Sequence, residues 1–139
     1  MRLPLEGTVF ISVREKDKNP KLLHIARKFK ELGFRIIATD GTRDYLVENG
    51  IEAELVFKIS QGRPNILDAI VNGQVDLIIN TPSGKRGRTE GYMIRRAAVD
   101  YGVAYITTLA GALAAVRAIE AVKSKKMVVK SIQEYHEEG

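Results

Sequence analysis

The strongest constraint on the fold is a regular alternation between short apolar runs and segments with helical periodicity. The apolar runs are rich in β-branched residues and predict strands at residues 7–13, 34–38, 54–57, 75–79 and 103–106. Apolar residues at helical spacing predict helices at residues 20–32, 88–101 and 109–122, with shorter helices around residue 45 and after residue 65. This pattern favours an α/β fold, a three-layer α/β/α doubly wound architecture around a mostly parallel five-stranded sheet.

The carboxy-terminal segment is harder to interpret from its pattern. The pair Val128-Val129 is compatible with an additional edge strand, and residues 131–138 are compatible with a separate terminal helix. The three lysines within residues 123–126 are interpreted as the solvated end of the preceding helix. Three tyrosines, Tyr45, Tyr101 and Tyr105, fall in helix or strand patterns and are predicted to pack in the core.

The composition excludes several classes of function. The 139 residues, 45% of them hydrophobic and 28% charged, suit one globular domain. The sequence has no cysteine, and its two histidines have no ligand partner at helical spacing, so no metal site is predicted. No apolar run has the length of a membrane span, so we expect a soluble, cytoplasmic protein that binds no membrane. Few and scattered aromatic residues argue against a nucleic-acid partner.

Polar and cationic residues follow each predicted strand. In a parallel sheet the carboxyl ends of the strands lie at one edge, where ligands bind. The segment Thr39-Asp40-Gly41-Thr42 also leads directly into a helix, whose amino-terminal N–H groups attract anions. The side chains concerned are Arg14 and Lys18 after the first strand, Thr39 and Thr42 after the second, Lys58 after the third, Asn80, Thr81, Ser83, Lys85 and Arg86 after the fourth, and Thr107 and Thr108 after the fifth.

Two interpretations of these residues remain open. Each threonine or asparagine taken alone is better explained as a helix cap, and each lysine as a solvated side chain. Their coincidence at one sheet edge favours a pocket for a phosphate or a carboxylate. The formal net charge of +5 fits an anionic small molecule, although it is also compatible with an ordinary surface.

Several stretches resemble a known family. Residues 5–18 closely resemble the start of the carboxy-terminal domain of the carbamoyl phosphate synthetase large subunit. The resemblance covers nearly the whole chain and implies a methylglyoxal-synthase-like fold, related to flavodoxin-like and Rossmann-like folds. It also implies that residues 1–139 form this single regulatory domain of a longer polypeptide. The later stretches that carry the resemblance, in the same order as in the family, are residues 38–42, 62–66, 80–84, 94–97, 107–109 and 131–134.

The resemblance implies a regulatory function without chemistry in this domain. Family members bind effectors, UMP and IMP in bacterial-type enzymes and N-acetylglutamate in the urea-cycle type. The effectors regulate carbamoyl phosphate synthesis for pyrimidine and arginine biosynthesis. ATP and Mg or Mn ions belong to synthetase domains outside this chain, so no cofactor is expected here. The implied partners are those synthetase domains, the glutaminase small subunit and further copies of the chain.

The resemblance also assigns the site. The phosphate pocket of the family falls on Lys18, Thr39, Thr42, Lys58, Asn80 and Thr81. One departure is Pro82, which stands where the family often has a second threonine and which lacks both a hydroxyl and an N–H donor. Ser83 is the neighbouring hydroxyl that can compensate, and we therefore include it in the predicted site.

Two alternative functions follow from the same resemblance. The related enzyme methylglyoxal synthase, a lyase acting on dihydroxyacetone phosphate, needs a carboxylate base in a loop where this chain has Arg63. Asp68 lies within the following helix and is interpreted as solvent-facing, which leaves Asp40 as the other candidate base. We therefore predict no catalytic residue. The second alternative, an assembly module, predicts no nucleotide binding at all.

Overall fold

The computed structural model describes the backbone of residues 2–82 and 84–138, and the side chains of these residues except 85–87 and 134–138. Five strands and five α-helices alternate along this part of the chain. The strands are β1 (Thr8–Val13), β2 (Arg35–Ala38), β3 (Glu54–Leu55), β4 (Leu77–Thr81) and β5 (Ala104–Ile106). The helices are α1 (Pro20–Glu31), α2 (Asp40–Glu48), α3 (Ile66–Val71), α4 (Gly84–Asp100) and α5 (Leu109–Glu138), with short 3₁₀ turns at Glu15–Asp17 and Ile59–Gln61.

The five strands form one sheet in the order β3-β2-β1-β4-β5, and the pairings between the described strands are all parallel. The central strand β1 pairs with β2 on one side and with β4 on the other. The chain therefore builds the sheet outward from β1 in one direction, crosses back, and continues in the other direction from β4. The carboxyl ends of β1 and β4 mark this reversal, where open α/β sheets form a ligand-binding crevice.

Helices cover both faces of the sheet, which confirms the predicted three layers. Alternate side chains of β1 point to opposite faces, so Val9 and Ile11 join one apolar cluster and Phe10 joins the other. Buried residues of α1 and α5 complete the first cluster, and those of α3 and α4 complete the second. All five residues of β4 are buried, as expected for a strand covered on both faces.

Local signals fix two of the helix starts. Asn19 caps α1 through its Oδ1, which accepts the Leu22 N–H at 3.1 Å. At the start of α3, the contacts of Asp68 show that its interpretation as a solvent-facing residue is wrong. The Asp68 carboxylate accepts the Asn65 N–H at 2.8 Å and an Arg63 guanidinium N–H at 2.6 Å. The ion pair with Arg63, together with the Asn65 N–H, lowers the pKa of Asp68.

The carboxy-terminal helix is longer than predicted. Helix α5 continues through Val128 and Val129 to Glu138, so the predicted edge strand and the separate terminal helix are both wrong. Residues 112–138 contain neither glycine nor proline, and nothing in this segment stops a helix once it has begun. Two adjacent valines do not offset the helical preference of the lysines, alanines and methionine around them. Among the described side chains of α5, Ile119 is the last buried one, and residues 124–133 are exposed.

The tyrosine predictions are only partly correct. Tyr45 is partly buried against the first apolar cluster, and Tyr105 is partly buried against the second. Tyr101, with 53% of its surface exposed, does not belong to the core.

Within the described residues, no helix is both long enough and apolar enough to cross a membrane, and no group of three or more acidic or histidine side chains is placed to hold a metal ion.

Lys123 is a structural residue rather than a solvated one. Its Nζ donates to the Leu5 carbonyl at 2.9 Å and to the Leu32 carbonyl at 2.8 Å. The same ammonium lies 5.9 Å from the centre of the Phe34 ring. Lys123 therefore joins α5 to the end of α1 and to the segment before β1, whereas Lys125 and Lys126 are exposed as predicted.

We expect Lys123→Met to lower the free energy of unfolding by about 1.5 kcal/mol, because it removes two hydrogen bonds from a charged donor while keeping the apolar stem. Chemical denaturation followed by circular dichroism measures this change. Lys125→Met is the matched control, since it removes an exposed lysine from the same helix and should leave the midpoint unchanged. Equal midpoints for the two variants would contradict this structural role.

Candidate functional site

A cavity of about 310 Å³ lies over the carboxyl ends of β1 and β4, at the point where the strand order reverses. Polar groups from four loops form one side of it. An apolar wall, formed by Phe10, Ile59, Ile66 and Ile94, lies next to them. The cavity thus combines hydrogen-bond donors with an apolar surface, as sites for small organic molecules generally do.

Six of the seven predicted site residues line this one cavity. They are Lys18, Thr39, Thr42, Lys58, Asn80 and Thr81. The seventh, Ser83, lies outside the described residues. Thr107 and Thr108 are not among the described residues that line the cavity. Thr108 instead accepts the Gly111 N–H at 3.0 Å at the start of α5, so the interpretation as a helix cap is correct there.

Two buried threonines that line the cavity each accept a backbone N–H. Thr42 Oγ1 accepts the Val13 N–H at 3.0 Å, and Thr81 Oγ1 accepts the Arg14 N–H at 2.9 Å. Both side chains are less than 5% exposed. A hydroxyl that accepts through a lone pair still has its proton to donate, so each threonine can supply one hydrogen bond to a ligand. These contacts also attach the start of the loop after β1 to α2 and to β4.

A second pair of hydroxyls lies between β1 and α2. Ser12 Oγ and Thr39 Oγ1 are 2.8 Å apart, so one of them donates to the other and the pair retains one free proton. Thr39 is the residue that precedes α2, and within the described residues its side chain caps none of the helix N–H groups. The first turn of α2, with the positive end of its dipole, therefore borders the cavity.

Asp40 places a negative charge at the start of α2, beside the cavity. Its carboxylate accepts the Gly41 N–H at 2.9 Å and a Gln61 amide N–H at 3.2 Å, and it lies 3.5 Å from the Lys58 ammonium. The Gly41 N–H, followed by the Lys58 charge, lowers the pKa of Asp40. A carboxylate held in this way stays ionised and is a weak base, which argues against Asp40 as a proton acceptor.

Each of the three cations that line the cavity within the described part of the chain has a carboxylate partner. The pairs are Arg14 with Asp17 at 2.8 Å, Lys18 with Glu15 at 2.7 Å, and Lys58 with Asp40 at 3.5 Å. One or both side chains of every pair are well exposed, so each pair contributes little stability. An anion that enters the cavity can therefore compete for these cations at small cost.

Gly41 allows one of these cations to lie close to the helix. A Cβ atom at this position would be 2.8 Å from Lys18 Nζ. The missing side chain thus leaves room for the ammonium against the first turn of α2. Because Nζ is the end of a flexible side chain, a larger residue here would displace the lysine rather than disrupt the fold.

Pro82 also lines the cavity. It follows Thr81 directly at the end of β4 and supplies neither an N–H nor a hydroxyl. The donors at this end of the cavity that the structure describes therefore come from Asn80 and Thr81, both of which are buried. The departure from the family pattern noted in the sequence is thus located in the wall of the cavity itself.

Sequence reasoning missed several residues of the site. Ser12 and Glu90 line the cavity, as do the apolar side chains of its wall. Tyr105 does not line it, but its hydroxyl accepts from Asn80 Nδ2 at 3.2 Å and donates to the Gly91 carbonyl at 3.2 Å. Ser12 lies within β1 near its carboxyl end. The prediction from strand ends covers only residues that follow each strand, so it omits Ser12. No pattern in the sequence indicates the contact between Asn80 and Tyr105.

Comparison with known proteins identifies the family. The family model described as "MGS-like domain" matches residues 21–107. Over its full length the chain is 89% identical to the carbamoyl phosphate synthase large chain of Archaeoglobus fulgidus, of which it spans 13%. It is 56% identical over 135 residues, 96% of its length, to the carbamoyl phosphate synthase large chain, C-terminal section, of Methanopyrus kandleri, of which it spans 25%.

A solved structure supports the fold alone. The structure titled "Crystal structure of ForH" superimposes with a TM-score of 0.63 at 20% sequence identity, covering 84% of this chain and 80% of that one. The sequence matches identify the family as well as the fold, since they extend over nearly the whole chain. The chain belongs to the family of MGS-like domains and is similar along its length to a part of carbamoyl phosphate synthase large chains.

Proposed function

We propose that the chain is the effector-binding regulatory domain of a glutamine-hydrolysing carbamoyl phosphate synthase. A phosphate-bearing effector of the UMP or IMP type would bind in the cavity, and no chemistry would occur there. The observation that supports this most directly is the convergence of six predicted donors on one cavity at the reversal of the strand order. The similarity to synthase large chains supplies the enzyme that the domain would regulate.

The donor set suits a phosphate group. Thr42 and Thr81 each have a hydroxyl proton to donate, and the pair of Ser12 and Thr39 has one more. Lys18 and Lys58 add charge-assisted donors to the same cavity. The dipole of α2 favours negative charge at the same place. A phosphate, with three oxygens that only accept, uses all of these groups better than a single carboxylate does.

The rest of the cavity suits a nucleotide rather than free phosphate. Its volume of about 310 Å³ exceeds what a phosphate group fills, and Phe10, Ile66 and Ile94 form an apolar wall beside the donors. A base or sugar attached to the phosphate would gain van der Waals contacts with that wall, although little further apolar area would leave water because Phe10 and Ile66 are already fully buried. N-acetylglutamate would satisfy the cations but would fill less of the cavity.

Effector binding would act on the synthase by linkage. An effector that binds more tightly to one state of the enzyme shifts the population toward that state, so the effector and the substrates affect each other. The chain spans only 13% of its Archaeoglobus relative, and the remaining synthetase domains, the glutaminase small subunit and other copies of the chain are the partners in this proposal. We place the complex in the cytoplasm.

The lyase alternative has one observation in its favour. Glu90 is the one carboxylate among the described residues that line the cavity. The position expected to carry the base holds Arg63, which is exposed and paired with Asp68. An arginine cannot accept a proton at neutral pH. Turnover of dihydroxyacetone phosphate would therefore have to depend on Glu90.

Calorimetric titration with UMP, IMP, N-acetylglutamate and inorganic phosphate tests the proposal. We expect UMP or IMP to bind more tightly than inorganic phosphate, because only the nucleotides fill the cavity beyond the phosphate group and contact its apolar side chains. Lys58→Ala should weaken nucleotide binding about tenfold, at the lower end of roughly 1.5–3 kcal/mol for a charged hydrogen bond, because Lys58 is partly exposed. Lys125→Ala, on the exposed part of α5, is the matched control and should bind as the parent chain does.

Absence of binding for all four ligands would overturn the proposal and favour an assembly module. Formation of methylglyoxal from dihydroxyacetone phosphate, abolished by Glu90→Gln, would establish the lyase alternative instead.

We also expect Asp40→Asn to strengthen phosphate binding severalfold. The substitution removes a negative charge beside Lys58 and keeps an oxygen that can accept the Gly41 N–H. The gain should correspond to about 0.5–1 kcal/mol, because the Asp40 carboxylate is half exposed and its field is screened.

The pH dependence provides an internal check on this effect. Since the pKa of Asp40 is lowered from its ordinary value near 4, the carboxylate is ionised throughout the range from about pH 6 to 8. The dissociation constant of the parent chain divided by that of Asp40→Asn should therefore change only with the second ionisation of the ligand's own phosphate, at about pH 6, and should be larger at pH 8, where Asp40 repels the dianion more strongly. Weaker binding by Asp40→Asn would show that Asp40 supports the site instead of competing with the anion.

A further inference from the structure

Tyr105 contacts the wall of the cavity from the side of β5, without lining the cavity itself. Its ring packs against the second apolar cluster, and its hydroxyl lies between the side chain of Asn80 and the backbone of α4 at Gly91. We propose that Tyr105 is a positioning residue, which fixes the Asn80 amide so that its nitrogen can donate to the anionic group of a ligand. This inference rests on the proposed function.

The hydrogen bonds around Tyr105 have only one consistent direction. The Gly91 carbonyl can only accept, so the single proton of the Tyr105 hydroxyl is donated to it. The Tyr105 oxygen then has only lone pairs to offer to Asn80. Asn80 must therefore turn its NH₂ group, and not its carbonyl oxygen, toward Tyr105, as the structure shows at 3.2 Å.

The consequence concerns the orientation of the Asn80 amide. A rotation that exchanged its oxygen and nitrogen would bring two lone-pair-bearing oxygens together at a residue that is only 5% exposed. The amide is also confined on the side of α4, where a Cβ atom on Gly91 would lie 3.4 Å from Asn80 Nδ2. One N–H of Asn80 is used by Tyr105, and the other is the donor that we assign to the ligand.

The orientation matters because the two ends of an amide act oppositely on an anion. A phosphate oxygen accepts from an amide nitrogen and is repelled by an amide oxygen. Without the tyrosine hydroxyl both orientations of Asn80 become accessible, and one of them opposes binding. The hydroxyl of Tyr105 thus contributes to affinity without touching the ligand.

A double-mutant cycle with Tyr105→Phe and Asn80→Ala tests the inference, with UMP and inorganic phosphate as ligands in calorimetry. We expect Tyr105→Phe to weaken binding of both ligands about fivefold. In the Asn80→Ala background the same substitution should change affinity by less than twofold, because the group that it positions is gone. In the Lys58→Ala background, in contrast, the fivefold loss should persist.

Tyr101→Phe is the matched control. It removes the hydroxyl of an exposed tyrosine at the end of α4, outside the cavity, and should leave affinity unchanged.

Side-chain amide exchange, followed by NMR, tests the positioning role independently of affinity. The side-chain amide protons of Asn80, assigned by their loss in Asn80→Ala, should exchange with solvent faster in Tyr105→Phe than in the parent chain.

The outcomes separate this inference from the function on which it rests. No binding by the parent chain overturns both. Binding by the parent chain with unchanged affinity in Tyr105→Phe overturns the positioning role alone. So does a loss of equal size with and without Asn80, which would show that the hydroxyl acts on the fold in general. If Tyr105→Phe does not fold, the parent chain still tests the inference, because side-chain amide protons of Asn80 that exchange as fast as those of the exposed Asn72 would count against a fixed amide.

Discussion

The parallel pairing of β1 with β4 is the interaction on which the site depends. These strands are far apart in sequence, and their register places Ser12 beside Asn80 and Val13 beside Thr81. The polar ends of both strands therefore lie at the same level of the sheet, directly next to each other. A shift of one residue would direct Asn80 to the opposite face and would separate the hydroxyls from the cavity. The buried apolar residues of β1 and β4 fix this register.

The site combines two kinds of polar contact with different strength. The hydroxyls of Thr42 and Thr81 are buried, and each accepts a backbone N–H, so their positions are determined by the fold. The cations lie at the rim in exposed ion pairs that are individually weak. The fold thus supplies a preformed set of neutral donors, while the charged groups can exchange an internal carboxylate for an external anion without disturbing the core.

The sequence was sufficient to predict the strands, the layers and six residues of the cavity, because each of these depends on local periodicity or on the rule that parallel strands end at one edge. It was not sufficient to predict contacts between side chains that belong to different helices, strands or loops. Tyr105 is one example, since its role requires both the pairing of β4 with β5 and the position of Gly91. Asp68 is another, because its partner Arg63 lies in the preceding loop. Helix α5 is a separate case, because Val128 and Val129 indicate a strand locally, whereas no glycine or proline between residues 112 and 138 stops the helix.

The same arrangement limits how a bound ligand can influence the rest of an enzyme. A ligand shifts a conformational equilibrium only through contacts that differ between the two states. The buried hydroxyls keep their backbone partners whether or not the cavity is filled, so they contribute affinity but little differential energy. The ion pairs of Arg14, Lys18 and Lys58 are the contacts that an anion would replace, and their carboxylates lie on the turn after β1 and at the start of α2. A regulatory signal from this cavity would therefore leave it through those two surface segments rather than through the apolar core.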